Sequence, residues 1–127
     1  MNAKKLILTV DDHFIVAMLV KQMLGEDAYQ YLAASNGDHA LSILQEEDHI
    51  NLILCDFNMP GMDGLEFCQH KLNLPRAKNI PVIMVTASRT AKEKKEAAAA
   101  GGPKFWLDKP FKKESLLAAV ALALNAP

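Results

Sequence analysis

The sequence predicts an α/β protein with a doubly wound sheet of five parallel strands and helices on both faces. Two observations support this class. Short, almost wholly apolar segments of strand length recur five times, and each is followed by a segment with helical character. Strands that are apolar along their whole length are typical of a parallel sheet buried between two layers of helices. Right-handed crossover connections then distribute the helices over both faces.

The predicted strands are short apolar runs, and turn-forming residues separate several of them from the next element. In chain order they are "KLILTV" (5–10), "YQYLAAS" (29–35), "NLILCD" (51–56), "VIMVTA" (82–87) and "KFWLD" (104–108). The second is the weaker strand signal. Pro75 and Pro81 bracket the loop that precedes the fourth strand.

The predicted helices alternate with these strands. In chain order they are "HFIVAMLVKQMLGED" (13–27), the segment from Gly37 to Glu47, "GLEFCQHKLN" (64–73), "TAKEKKEAAAAG" (90–101) and "KESLLAAVALALN" (113–125). Gly25 lies near the end of the first helix, and Gly101 and Gly102 are expected to stop the fourth. The charged run "KEKKE" (92–96) is interpreted as a solvated helix face rather than a nucleic-acid patch.

The length and composition indicate a single domain over residues 1–127, a common domain size. The net charge of −1 argues against direct binding of nucleic acid or of a strongly anionic membrane. No apolar run reaches transmembrane length, and acidic residues come too early for a signal peptide. We therefore expect a cytoplasmic protein in which Cys55 and Cys68 are reduced core residues.

Charged and polar side chains follow four of the predicted strands. Asp11 and Asp12 follow the first strand, and Asp56 ends the third. Thr86 ends the fourth strand, and Lys109 follows the fifth. Because ligands bind at the carboxyl ends of the strands in an open parallel sheet, these side chains are expected to converge on one edge.

Three carboxylates at one edge indicate a bound cation. At an effective dielectric constant of about 20, like charges about 4 Å apart repel by about 4 kcal/mol. One lysine cannot neutralise three acids, whereas a divalent metal can, and an all-oxygen site selects a hard cation. Mg²⁺ is favoured over Ca²⁺ because few protein ligands are offered and the chain has no dedicated calcium loop.

A hard metal beside these side chains suits phosphoryl chemistry. Asp56 is a candidate nucleophile that attacks phosphorus to form an acyl phosphate. Mg²⁺ would neutralise the charge that develops on the phosphoryl oxygens. Lys109 would pair with the resulting dianion, and the Thr86 hydroxyl would donate a hydrogen bond to it.

Four short motifs point together to one family. They are "VDDH" (10–13), "CDFNMPGMDG" (55–64), "VTA" (85–87) and "DKPF" (108–111). In this order and spacing the chain resembles, over essentially its whole length, the receiver domains of two-component response regulators, in their stand-alone CheY-like form. The resemblance implies the flavodoxin-like strand order 2-1-3-4-5.

The resemblance also implies a role for each matching residue. Asp56 is the phosphoacceptor, and Thr86 and Lys109 bind the phosphoryl group. The implied Mg²⁺ ligands are Asp11, Asp12, Asp56 and the backbone carbonyl of Asn58.

The resemblance further implies the partners and the course of the reaction. The phosphoryl donor is a phosphohistidine on a sensor histidine kinase or a phosphotransfer protein, and the output goes to a downstream protein. Such a domain is not an enzyme in the usual sense, since it supplies the chemistry of its own phosphorylation and dephosphorylation. Asn58 and Ser88 are expected to influence the hydrolysis rate, and the Lys109–Pro110 bond is expected to be cis.

Trp106, the only tryptophan, stands where receivers often have Tyr or Phe. Residues three apart on a strand point to opposite faces, so Trp106 is expected opposite Lys109, near helices four and five. One interpretation is core packing. The other is a rotamer switch coupled to Thr86, which would reshape the surface formed by helix four, strand five and helix five.

Simpler interpretations of single residues stay open. Asp12 could be the N-cap of the first helix, and Asp63 is a better candidate to cap the third helix than to bind metal. The histidines show no metal-ligand spacing and are treated as ordinary helix or loop residues. They are His13, His39, His49 and His70.

Three alternative identities also stay open. Only three residues follow Leu124, which favours a single-domain regulator, but the chain could be a receiver excised from a longer DNA-binding regulator or hybrid kinase. A haloacid-dehalogenase-type Mg²⁺ phosphatase would need its Asp nucleophile at the end of strand one, with a second Asp two positions later. A flavodoxin-like FMN binder would need a phosphate loop at that point, and "DDHF" (11–14) fits neither requirement.

Overall fold

The computed structural model describes residues 3–87, 90–99, 103 and 105–125, and strands alternate with helices along the described chain. The strands are Lys5–Val10 (β1), Tyr29–Ala34 (β2), Ile50–Asp56 (β3), Val82–Thr86 (β4) and Phe105–Asp108 (β5). The helices are Phe14–Leu24 (α1), Gly37–Glu46 (α2), Gly64–Lys71 (α3), Ala91–Ala99 (α4) and Lys113–Leu124 (α5).

The strands form a single five-stranded parallel sheet in the order β2-β1-β3-β4-β5. Both the predicted fold class and the predicted strand order are therefore confirmed. β3 lies in the centre, and six of its seven residues are buried. Such burial explains why its sequence is apolar up to Asp56 and does not alternate with polar residues.

Two hydrophobic clusters cover the two faces of the sheet. The cluster on one face joins strand residues to the buried sides of α2 and α3, including Leu44 and Phe67. The cluster on the other face joins strand residues to α1 and α5, including Val20 and Leu116. This arrangement is the three-layer sandwich that the apolar strands predicted.

The helix ends differ slightly from the predicted ones. α1 ends at Leu24 rather than at residue 27, because Gly25 turns to a φ of 75° and its N–H donates to the Lys21 carbonyl at 2.8 Å. α3 ends at Lys71, two residues early. Gly101 and Gly102, the predicted stop of the fourth helix, lie outside the described residues, as does Lys104 at the start of the predicted fifth strand.

The two cysteines are free thiols in the core, as the sequence predicted. Burial raises the pKa of the Cys55 thiol well above its usual value and raises that of Cys68 to about 11. None of the helices in the described part of the chain combines the length and apolar character needed to cross a membrane.

The start of α3 packs closely against the residue that ends β3. The Asp63 side chain caps the helix, accepting a hydrogen bond from the Glu66 N–H at 2.9 Å, as predicted. The Gly64 N–H donates to the Phe57 carbonyl at 2.8 Å. A Cβ at Gly64 would lie 2.9 Å from the Asp56 carbonyl oxygen and 2.9 Å from the Phe57 Cα, so only glycine fits without a backbone shift.

We expect Gly64→Ala to destabilise the fold by about 1–3 kcal/mol, because the added methyl group would meet backbone atoms that cannot rotate away. Gly37→Ala is the matched control, since Gly37 also opens a helix but a methyl group there would mainly meet the flexible Met62 side chain. Urea unfolding measures both variants. Equal losses of stability in the two would contradict this account of Gly64.

Candidate functional site

Two carboxylates lie side by side at the carboxyl ends of neighbouring strands. Val10 pairs with Cys55 in the β1–β3 register, so the next residue of each strand, Asp11 and Asp56, reaches the same edge. Both residues are only 6% exposed. The buried acids therefore follow directly from strand pairing, as the sequence predicted for this edge.

Lys109 approaches both acids from the turn after β5. Its Nζ lies 3.0 Å from Asp11 Oδ2 and 3.4 Å from Asp56 Oδ1. The Lys109 N–H donates to the Thr86 carbonyl at 2.8 Å, which ties this turn to the end of β4. The Lys109–Pro110 bond is cis, as expected.

Burial and neighbouring charges shift the pKa values of Asp56 and Lys109. Burial, followed by the charge of Asp11, raises the pKa of Asp56, although Lys109 and the Asn58 N–H, 3.3 Å from Asp56 Oδ1, lower it in part. Burial alone would lower the pKa of Lys109, but its hydrogen bond to Asp11 and the charges of both acids raise it. The lysine therefore stays protonated, and it offsets the acids only in part.

Asp12 and His13 complete the acidic cluster, and neither caps α1 with its side chain. The N-cap is His13, and its side chain makes no capping hydrogen bond. Its backbone N–H donates to Asp11 Oδ1 at 2.8 Å. Its Nδ1 lies 3.2 Å from Asp12 Oδ1 and 3.5 Å from Asp11 Oδ1. From the sequence, His13 was interpreted as an ordinary helix or loop residue. Its position directly after two aspartates was the signal that could have identified it as part of this cluster.

The donor atoms of this cluster are close enough to share one ion. One ligand atom from each member lies within 4.8 Å of those of the others; the members are Asp11, Asp12, His13 and Asp56. Carboxylate oxygens are the ligands that Mg²⁺ prefers. Burial and, after it, the charge of Asp11 raise the pKa of Asp56, and a divalent charge would offset the repulsion by Asp11. The residues present therefore fit the expected metal.

Thr86 places a hydroxyl at this edge. The residue is fully buried, and its Oγ1 has no hydrogen-bond partner among the residues that the structure describes. Buried hydroxyls are normally paired, so an orphaned one at the end of β4 points to a group that binds there. Ser88, expected near the same site, lies outside the described residues.

A family model described as "Response regulator receiver domain" matches residues 7–121. The chain belongs to this family. Receiver domains serve two-component signalling and are not classical enzymes.

Several named relatives align with most of the length of this receiver domain. A "Probable chemotaxis protein CheY" of Rhizobium etli is 32% identical over 121 residues, which is 94% of this chain and 92% of that protein. The "Uncharacterized transcriptional regulatory protein YrkP" of Bacillus subtilis is 34% identical over 119 residues, 94% of this chain and 49% of that protein. The "Sensor histidine kinase RcsC" of Escherichia coli is 40% identical over 100 residues, 79% of this chain. The chain thus spans about half of the first of the longer relatives and 10% of the second.

Solved structures support the same family. The chemotaxis protein CheY4 of Vibrio cholerae superposes with a TM-score of 0.87 at 32% identity, covering 96% of this chain and all of that one. A second structure of that regulator gives a TM-score of 0.86 at 33% identity, again over 96% of this chain.

Trp106 of this receiver lies on β5 and contacts Phe57, which follows β3, and Lys94 of α4. The indole is half-buried, and its ring centroid lies 5.9 Å from that of Phe57, the residue after Asp56. Lys94 of α4 lies with its Nζ 5.9 Å from the ring centroid and 3.1 Å from Asp108 Oδ1. Trp106 also lines a groove with Ser115, Ala118 and Leu122 of α5. The contact with Phe57 was not foreseen from the sequence.

We expect Asp56→Asn to raise the stability of the metal-free receiver at neutral pH. The native-state pKa of Asp56 is raised, so its ionised form costs more free energy in the folded than in the unfolded protein. The gain should be complete above the folded pKa, shrink as the pH falls through it, and vanish below the unfolded value. Urea unfolding across acid pH in a chelator measures it.

Asp63→Asn is the matched control for that experiment, because Asp63 is a partly exposed helix cap and asparagine caps a helix about as well. It should not raise the stability at neutral pH as Asp56→Asn does. A loss of stability in Asp56→Asn at neutral pH would contradict the electrostatic account.

Proposed function

We propose that this receiver is a phosphorylation-dependent switch that accepts a phosphoryl group on Asp56. The observation that carries the proposal is the buried Asp56 carboxylate, with Lys109 Nζ at 3.4 Å and Asp11 beside it. Two buried acids that share one lysine at a sheet edge are costly in free energy and are rarely found for structural reasons alone. The acids would bind a metal ion, and the lysine would pair with a phosphoryl dianion.

The proposed donor is a phosphohistidine on a sensor histidine kinase or phosphotransfer protein. A carboxylate oxygen of Asp56 attacks phosphorus, a P–O bond forms, and the P–N bond breaks as its electron pair leaves with the donor imidazole. In the later hydrolysis, water attacks phosphorus, the Asp56 carboxylate leaves, and inorganic phosphate is released. Both steps need Asp56 and an in-line approach at the strand edge.

Mg²⁺ is proposed as the metal, held by Asp11, Asp12, Asp56 and the backbone carbonyl of Asn58. When bound, it supplies positive charge that stabilises the phosphoryl oxygens during transfer. Lys109 holds a second positive charge beside the same oxygens.

The surface next to the acids suits a protein donor. The first turns of α1 expose apolar side chains directly after Asp12 and His13; these are Phe14 (75% exposed), Ile15 (58%), Met18 (58%) and Leu19 (39%). Exposed apolar side chains in one patch are typical of protein contact surfaces. A partner seated on this patch would bring its phosphohistidine to the acidic cluster. The cytoplasmic location of this receiver domain stays a prediction from its family.

The proposed readout runs through two neighbouring residues. The unpartnered Thr86 hydroxyl would turn to donate a hydrogen bond to the phosphoryl group. Trp106, whose ring meets Phe57 directly after Asp56, would respond by changing its packing. Since Lys94 contacts both the indole and Asp108, that response would alter how α4 sits against β5. The proposed output is the α4–β5–α5 surface and a downstream protein that binds it.

Acetyl phosphate with Mg²⁺ should add one phosphoryl group, detected by intact mass spectrometry. Asp56→Asn should reduce the adduct to an undetectable level, because the nucleophile is gone, and EDTA should suppress it in the native chain. Asp63 is a nearby carboxylate that caps α3, so the Asp63→Asn variant should still be phosphorylated. An adduct that persists in Asp56→Asn would refute the assignment.

Beryllofluoride, a stable phosphoryl mimic, should change the intrinsic fluorescence of Trp106 when Mg²⁺ is present. The change should vanish in Asp56→Asn, weaken in Thr86→Ala, and weaken in Lys109→Ala, which removes the cation that pairs with the phosphoryl group. Thr9→Ala is the matched control, because Thr9 is also a buried strand threonine but lies on β1. An equal response in Thr86→Ala and the native chain would contradict the coupling.

A further inference from the structure

We infer that His13 is an additional metal donor. Its nitrogen makes the site bind Zn²⁺ and other ions that accept nitrogen more tightly than the carboxylates alone would. The inference rests on the proposed metal site and adds a ligand that Mg²⁺ binding does not require. The inference concerns which metal ions can bind at the proposed site formed by Asp11, Asp12 and Asp56.

The distances within the cluster carry this inference. His13 Nδ1 lies 3.2 Å from Asp12 Oδ1 and 3.5 Å from Asp11 Oδ1. Two ligands at right angles around an ion with bonds of about 2.1 Å are about 3 Å apart, and two opposite ligands are about 4.2 Å apart. The donor atoms of the cluster, which also includes Asp56, all lie within 4.8 Å of one another. Shifts of a few tenths of an ångström would therefore place all four around one ion.

A backbone hydrogen bond fixes the position of His13, while its imidazole ring remains free to turn toward a metal ion. The N–H of His13 donates to Asp11 Oδ1 at 2.8 Å, which fixes the residue beside the acids. Its side chain does not serve as the helix cap and is 70% exposed, so the ring can adjust without disturbing the core. The Nδ1 atom, rather than the outer edge of the ring, faces the two carboxylates.

The chemistry of the added ligand sets the ion preference. Imidazole nitrogen suits Zn²⁺, Ni²⁺ and Cu²⁺, whereas carboxylate and carbonyl oxygens suit Mg²⁺ and Mn²⁺. A cluster of oxygen donors with one imidazole therefore gains more affinity for Zn²⁺ than for Mg²⁺. A protonated His13 that only pairs with Asp11 and Asp12 would explain the same distances, but it would produce no such change in preference.

Isothermal titration of the full chain with Zn²⁺ and, separately, with Mg²⁺ tests the inference in native protein, His13→Ala and His49→Ala. His49 is an exposed histidine at the opposite end of β3 from Asp56 and serves as the matched control. His13→Ala should lower the Zn²⁺ affinity at least about tenfold and change the Mg²⁺ affinity less than about twofold. In parallel, ¹⁵N NMR should show a shift of the His13 Nδ1 resonance on addition of Zn²⁺.

The possible outcomes separate this inference from the proposed function. If Mg²⁺ binds but His13→Ala lowers the two affinities by the same factor, or lowers neither, the His13 inference is overturned and the proposed function stands. A His49→Ala variant that loses as much Zn²⁺ affinity as His13→Ala also overturns it. If the native chain binds neither ion at residues 11, 12 and 56, the proposed metal site fails as well.

Discussion

The constraint on which the site depends is the pairing of β1 with β3, which forces two buried carboxylates to lie next to each other. Burial and, after it, the charge of Asp11 raise the pKa of Asp56, and Lys109 offsets this effect only in part. Asp12 adds a third acid to the same cluster, so the negative charge that remains suits the donor set to a divalent cation. The partly uncompensated negative charge of the acidic cluster therefore gives the site a strong preference for binding a cation.

The sequence was sufficient to predict the fold and the residues that meet at the strand ends. Apolar strands alternating with helices define a doubly wound sheet, and in such a sheet the residue after each strand has a known position. Helix ends were less predictable, because the end of α1 depends on one backbone dihedral at Gly25. His13 was missed because spacing rules search for several histidines, whereas here one imidazole joins two acids that precede it directly.

The contact between Phe57 and Trp106 was outside the reach of sequence patterns for a different reason. Strand alternation gives the face on which a side chain lies, but the partner across the sheet depends on register and on ring orientation. The two aromatic rings, tilted by 33°, link the residue after Asp56 to the edge strand. Lys94 then extends the chain of contacts to α4 through the indole and Asp108. Each step is a direct contact between neighbours, so a signal need not pass through the centre of the sheet.

The buried Thr86 hydroxyl, which has no hydrogen-bond partner among the described residues, is a possible source of free energy for a conformational change. A buried polar group without a partner costs about 1–3 kcal/mol, and a valine of nearly the same shape would avoid that cost. The resting conformation therefore carries a built-in instability at the end of β4. Any ligand that offers this hydroxyl an acceptor recovers that free energy and adds it to its own binding. In a two-state equilibrium, a recovered 1.4 kcal/mol would be worth about a factor of ten in population. The buried Thr86 oxygen thus favours any conformation in which the hydroxyl finds an acceptor.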